Sequence, residues 1–277
     1  MTKPINSTRS KLPVKFIAAG LFIVSLFPLF FVSQKQPAYD DRALLIENTF
    51  IRNSEYLQLV SEPYWAGVPS LYQAKSLYRP LFLLGVGIFK DSPTLLFSVS
   101  IAIHALCAVL CFLLLFEFFK NSFLAIGGAL FFSFHPAQIE ASAQIIGLME
   151  SLPTALGLGA CFLWLKGKPR LAVALVSFAP GFKETGFLWL LGISVLGLSQ
   201  KKMKPAALGM ASIAAWIVIR IAVTGELVSI GTAPYRVINP MVKLSAVQNF
   251  FTRFELLGYQ TLLSLVLIIR SAHSLMD

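Results

Sequence analysis

The sequence predicts an all-α integral membrane protein of about eight hydrophobic segments, organised as one polytopic domain over residues 1–277. The first observation is composition: 56% of the residues are hydrophobic, 13% are charged and the mean hydropathy is +0.74. Soluble domains carry about 25% charged residues. The second observation is that short basic loops without acids alternate with the apolar runs, which is typical of a multi-pass protein.

Several of the apolar runs are too short to cross a bilayer alone. The first run is too long for a signal peptide and lacks a small-residue cleavage site, so we expect it to remain as a span. We also expect outer helices at 43–59, lying in the membrane interface, and at 138–151. The expected apolar segments are 14–32, 80–89, 94–119, 121–134, 153–165, 171–182, 184–199, 205–223 and 250–269. The pieces 171–182 and 184–199 meet at a break that protein or water must line.

Charge predicts the orientation. Residues 1–13 contain basic residues and no acid, so this tail should be cytoplasmic, and the loops 34–78 and 224–249 should lie outside. On this threading the whole net charge of +10 falls on the inner side. We therefore expect a multi-pass protein with a cytoplasmic N-terminus. As a separate expectation, the membrane is a bacterial inner membrane. The basic residues form no single face or tail, so membrane lipid and not nucleic acid is the expected partner.

Polar residues interrupt the apolar pattern at a few points. The adjacent acids Asp40 and Asp41 follow the first span. Charges close to hydrocarbon are costly and tend to be functional, so these residues predict a site at the outer surface. The alternative is a set of solvated loop acids. The other polar residues that the threading places on that side are Arg79, His135, Glu140, Glu150, Lys183, Glu184 and Arg220.

A series of motifs resembles the GT-C glycosyltransferases, most closely the transmembrane and tetratricopeptide-repeat-containing O-mannosyltransferases and their prokaryotic relatives. The resemblance covers roughly residues 39–257. The motifs are Tyr39-Asp40-Asp41-Arg42 with Glu47-Asn48, Tyr78-Arg79-Pro80-Leu81, His104-Ala105-Leu106, His135-Pro136-Ala137-Gln138-Ile139-Glu140 with Gly147 and Glu150, Lys183-Glu184-Thr185-Gly186, Arg220, and the loop 234–240.

Two features depart from the family pattern. Where the family often has Gly-Arg-Ala-Asp, this chain has Gly147-Leu148-Met149-Glu150. Family members also continue beyond the position of the predicted span 250–269, with further spans and a repeat domain. We therefore expect the chain to be a fragment, a minimal member or a degenerate copy of the family.

The resemblance implies a GT-C-like fold and transfer of a sugar from a polyprenyl-phosphate carrier to an acceptor protein or glycan on the outer face. It implies that Asp40 and Asp41 are the catalytic acids, with Asp40 as the general base and Asp41 as its partner or as the residue that positions the acceptor. Arg79, Lys183 and Arg220 would bind the donor phosphate, supported by His135, Glu140, Glu150 and Glu184. No cofactor and no metal site are expected, although carboxylates beside a sugar donor are able to recruit a divalent cation.

Other interpretations of the same residues remain open. The protein could be a non-catalytic membrane scaffold or a transporter for a lipid-linked sugar. Glu140 and Glu150 could cap a helix or pair with Lys183 instead of touching substrate, and Lys183 could form an internal pair with Glu184. His135 could simply end a helix, and His104 is expected to be a packed histidine bonded to a neighbouring helix.

Overall fold

A computed structural model describes residues 14–29, 36–69, 77–135, 138, 141–142, 144–226, 248 and 252. All regular secondary structure within these ranges is helical. The helices are α1 (Val14–Ser25), α2 (Asp40–Arg42, continued by a π-helical turn at Ala43–Glu47), α3 (Thr49–Arg52), α4 (Tyr56–Ser61), α5 (Pro80–Ile88), α6 (Pro93–Phe119), α7 (Ser122–Phe134), α8 (Leu148–Leu165), α9 (Pro169–Val176), α10 (Gly186–Ser199) and α11 (Met203–Thr224).

Three of these helices, α6, α8 and α11, are long and apolar enough to cross a membrane. The shorter helices α1, α7 and α10 are also apolar. At a rise of about 1.5 Å per residue, α6 is about 40 Å long, which exceeds the hydrocarbon thickness of a bilayer. These helices indicate a membrane protein.

Helix α6 is the centre of the packing, with α1, α7 and α8 against it. Helix α9 packs on α8, and α11 packs mainly on α10. Close approach of α10 and α11 depends on small residues, since a Cβ on Gly197 would lie 3.1 Å from that of Ala206. These contacts make one helical bundle with the short helices α2 to α5 at one end.

The two ends of the bundle differ in charge. Glu150 lies in the first turn of α8, and Lys166 follows its last turn, about 24 Å away along the axis. Lys166 and Lys120 both pair with Glu117 near the end of α6. Lys202, just before α11, lies 4.8 Å from the ring centre of Trp164. The loops that contain these lysines therefore meet at one end, which we call the basic end.

The stretch 43–59 does not form the single interfacial helix that the sequence predicts. It is divided into short helices because Asn48 caps α3 through hydrogen bonds from Phe50 and Ile51 and Ser54 has a left-handed φ of 59°. Its apolar residues Leu44, Ile51 and Leu59 are fully buried. They pack in a core with α5 and α6.

Two other boundaries also differ from the prediction. Helix α1 ends at Ser25 and is followed by a 3-10 turn that includes Leu29. The predicted outer helix 138–151 is interrupted by bends and turns at 144–147, and regular helix resumes only at Leu148.

The predicted break lies where expected, with a 3-10 turn at Ala179–Gly181 and then α10. Of the predicted span 250–269 only residue 252 is described, and most of the loop 224–249 lies outside the described residues.

Candidate functional site

A cavity of about 530 Å³ lies among α6, α8 and the segments that precede α5 and α10. It brings together charged residues that are far apart in the chain. Asp40, Arg79, Glu150 and Lys183, all predicted from the sequence, line it. Other residues that line the cavity had no role in the sequence interpretation, among them Gln138, Met149 and Thr154. Side chains of these types occur throughout the chain, so they do not mark a site in the sequence.

Arg79 precedes α5 and is only 8% exposed. Its Nε and Nη2 donate to one carboxylate oxygen of Glu184, at 3.2 and 2.9 Å. Arg220, near the end of α11, donates from Nη1 to the other oxygen at 3.4 Å. Two guanidinium groups share one carboxylate, so this group of three retains a positive charge. Arg79 lines the cavity, whereas Glu184 and Arg220 do not.

Two residues without a role in the sequence interpretation fix the position of Arg79. The guanidinium carbon lies 4.9 Å from the ring centre of Tyr64, a cation–π distance. Nη1 donates to the sulfur of Met149 at 3.2 Å. Burial raises the pKa of the Tyr64 hydroxyl above its ordinary value, so Tyr64 stays neutral beneath the arginine. Met149 stands in the Gly147-Leu148-Met149-Glu150 stretch, but no local pattern predicts either contact, since both arise from the tertiary fold.

Lys183 pairs with Glu150, and Glu184 pairs with the two arginines. The alternative of an internal Lys183–Glu184 pair is therefore wrong, and the alternative of a Glu150–Lys183 pair is confirmed. Glu150 is in the first turn of α8, and Lys183 lies in the break before α10. The pair joins these two elements across the cavity while both side chains keep partial access to solvent, at 45% and 24%.

The two adjacent acids have different environments. Asp41 is 2% exposed, and its two oxygens accept from the backbone N–H groups of Ile145 and Ile146 at 3.0 and 2.8 Å. Asp40 is exposed and lines the cavity. Among the described residues it has neither an ion pair nor a hydrogen bond through its carboxylate. Asp41 thus holds the 145–146 turn in place, and Asp40 is the carboxylate that faces the cavity.

The two histidines also have different surroundings. His104 donates from Nε2 to the carbonyl oxygen of Ser133 on α7 at 3.1 Å, since a carbonyl can only accept. Its ring stacks on Phe132. The prediction of a packed histidine bonded to a neighbouring helix is confirmed, and His104 also lines the cavity. His135 ends α7, with its ring against Phe131, outside the cavity lining. Glu140 lies outside the described residues.

No group of three or more His, Cys, Asp or Glu residues within the described part of the chain is arranged to hold a metal ion. Of the two solvated carboxylates in the lining, Asp40 has no ion pair among the described residues, and Arg79 and Lys183 line the same cavity. Such a set is able to accept a proton and to hold an anion in the same cavity.

Comparisons of the chain with protein-family models, curated proteins and solved structures gave no significant match. The assignment of a function therefore depends on the residues and geometry of the cavity.

Proposed function

We propose that the protein is a glycosyltransferase that moves a sugar from a polyprenyl-phosphate carrier to an acceptor hydroxyl at the membrane surface. The observation that carries the proposal is that Asp40, Arg79 and Lys183 line one cavity. Asp40 is exposed and has no ion pair within the described residues, so its oxygens are open to accept a proton. The two cations suit the phosphate of the donor.

In the proposed reaction, the oxygen of the acceptor hydroxyl attacks the anomeric carbon of the sugar, and Asp40 accepts the proton of that hydroxyl. The bond between that carbon and the phosphate oxygen breaks, and its electron pair passes to the phosphate. Arg79 and Lys183 stabilise the charge that develops there. The positive charge retained by the Arg79–Glu184–Arg220 group supports this step without a change of its ion pairs.

We further propose a GT-C-like arrangement, with the N-terminus in the cytoplasm and the cavity on the outer side of a bacterial inner membrane. The separation of the basic end from the cavity supports this orientation. Acceptors at that surface would be a protein or a glycan.

A carrier or scaffold that binds a lipid-linked sugar without transfer is the second candidate. It is favoured by one observation: both cations of the cavity already have carboxylate partners. The two functions share donor binding and differ in the need for a base at Asp40.

The donor site can be tested through Lys183, because its side chain is partly solvated and its removal leaves Glu150 accessible to water. Lys183→Gln should weaken binding of a polyprenyl-phosphate-linked sugar by about tenfold or more. Lys90→Gln, which removes a lysine outside the cavity lining, is the matched control. Equal binding by both variants and the wild-type protein would contradict a phosphate site at Lys183.

A further inference from the structure

The basic end of the bundle carries charge that internal ion pairs do not neutralise. Glu117 is paired with Lys120 and Lys166, and Lys202 lies over Trp164. Four further cations are exposed and have no ion-pair partner within the described residues. They are Lys168, Arg170, Lys201 and Lys204.

These four cations come from two helix junctions that the fold brings side by side. Lys168 and Arg170 lie at the junction of α8 and α9, and Lys201 and Lys204 lie at the junction of α10 and α11. Trp164, at the end of α8, donates from Nε1 to the side-chain oxygen of Gln200 at 3.0 Å. Gln200 ends α10, and Lys202 beside it covers the ring of the same tryptophan. Trp164 therefore connects the α8–α9 loop to the α10–α11 loop, so the two sets of cations form one basic surface.

Large apolar side chains border this basic surface. Leu165, Leu171 and Met203 are 46%, 57% and 61% exposed, and each is close in sequence to one of the cations. A charged surface with an exposed apolar edge at the end of membrane-spanning helices matches the structure of a phospholipid. The phosphate would meet the cations and the acyl chains would meet the apolar edge.

We propose that this basic surface binds the phosphodiester headgroups of anionic phospholipids. The site is separate from the cavity, because Glu150 of the cavity and Lys166 of the basic end are at opposite ends of α8. Lipid binding at this surface does not require glycosyltransferase activity in the cavity.

Native mass spectrometry of the protein in a neutral detergent tests the proposal directly. Phosphatidylglycerol should bind more tightly than phosphatidylcholine of the same chain length. Lys168→Gln with Arg170→Gln should weaken phosphatidylglycerol binding by roughly 10- to 30-fold, given the contribution of each basic residue near an anionic surface. Lys168→Arg with Arg170→Lys keeps both charges and should bind as the wild type does.

The control is Arg52→Gln with Lys90→Gln, which removes the same charge near the opposite end, where Lys90 donates to the backbone of Arg52. It should retain phosphatidylglycerol binding. Equal binding of the two lipids, or equal losses in the test and control variants, would overturn the proposal. Glycerol 1-phosphate should not displace the lipid at similar concentration; displacement would assign the surface to soluble phosphate compounds and also overturn it.

Discussion

Arg79 donates two hydrogen bonds to a single oxygen of Glu184 across 105 positions of the chain. Arg220 contacts the other oxygen of the same carboxylate. One acid thus holds together the start of α5, the break before α10 and the end of α11. The side chain of Arg79 is 10% exposed and that of Arg220 is 11% exposed, while Glu184 is 30% exposed.

Glu184→Gln should destabilise the protein, because it leaves two largely buried guanidinium groups close together without their shared countercharge. Allowing for the partial exposure of Glu184, we expect a loss of roughly 2 kcal/mol in the free energy of unfolding. Denaturation in detergent would measure it. Glu226→Gln, at an exposed acid after α11, is the control. Equal stability of the two variants would show that the shared carboxylate has no structural role.

The two adjacent acids should have separable effects. Asp41→Asn places an amide NH₂ group against a backbone N–H of Ile145 or Ile146, so one of two charge-assisted hydrogen bonds is lost. We expect a loss of about 2 kcal/mol in the free energy of unfolding. Asp40→Asn should change that free energy by less than about 0.5 kcal/mol, since Asp40 is solvated. The same denaturation measurement compares them, and equal losses would contradict the assignment of Asp41 as the structural acid.

The break before α10 depends on a close backbone approach. A Cβ on Gly186 would lie 2.2 Å from the carbonyl carbon of Ala179, and this backbone atom cannot yield as a side chain would. Gly186→Ala should therefore destabilise the protein by about 3 kcal/mol and displace Lys183 and Glu184.

Gly192→Ala in the same helix is the matched control, because no atom lies within 4 Å of its added Cβ. It should be neutral or stabilising by up to about 1 kcal/mol. A thermal shift in detergent would compare the two variants. If Gly186→Ala were as stable as Gly192→Ala, the close packing of the 179–186 segment would be refuted.

The orientation can be tested with an impermeant maleimide on intact cells. Tyr39, next to the cavity acid, is 87% exposed, and Lys168 is exposed at the basic end. Tyr39→Cys should be labelled from outside and Lys168→Cys only after the membrane is opened. The wild-type protein gives the background from Cys107, Cys111 and Cys161, which lie within helices. Labelling of position 168 but not 39 in intact cells would reverse the proposed topology.

Sequence reasoning predicted the helical class and the break before α10 because both depend on local patterns of apolar residues and turn formers. It also selected Asp40, Arg79, Glu150 and Lys183 as site residues, since charges are scarce in so apolar a chain. It did not predict which charges pair, because Arg79 and Glu184 meet only through the tertiary fold. It assigned Asp40 as the base from the resemblance alone and did not predict that Asp41 is buried, because that burial depends on the packed 145–146 turn.

We propose Asp40 as the general base of sugar transfer. The direct measurement is transfer of a labelled sugar from a polyprenyl-phosphate donor to membrane or protein acceptors by the purified protein. Asp40→Asn should lower the transfer rate by roughly 10²- to 10⁴-fold while donor binding is largely kept, and Asp91→Asn, at an exposed loop acid, should transfer as the wild type does. A wild-type protein that binds the donor but transfers no sugar, with Asp40→Asn indistinguishable from it, would contradict the claim and support the non-catalytic carrier.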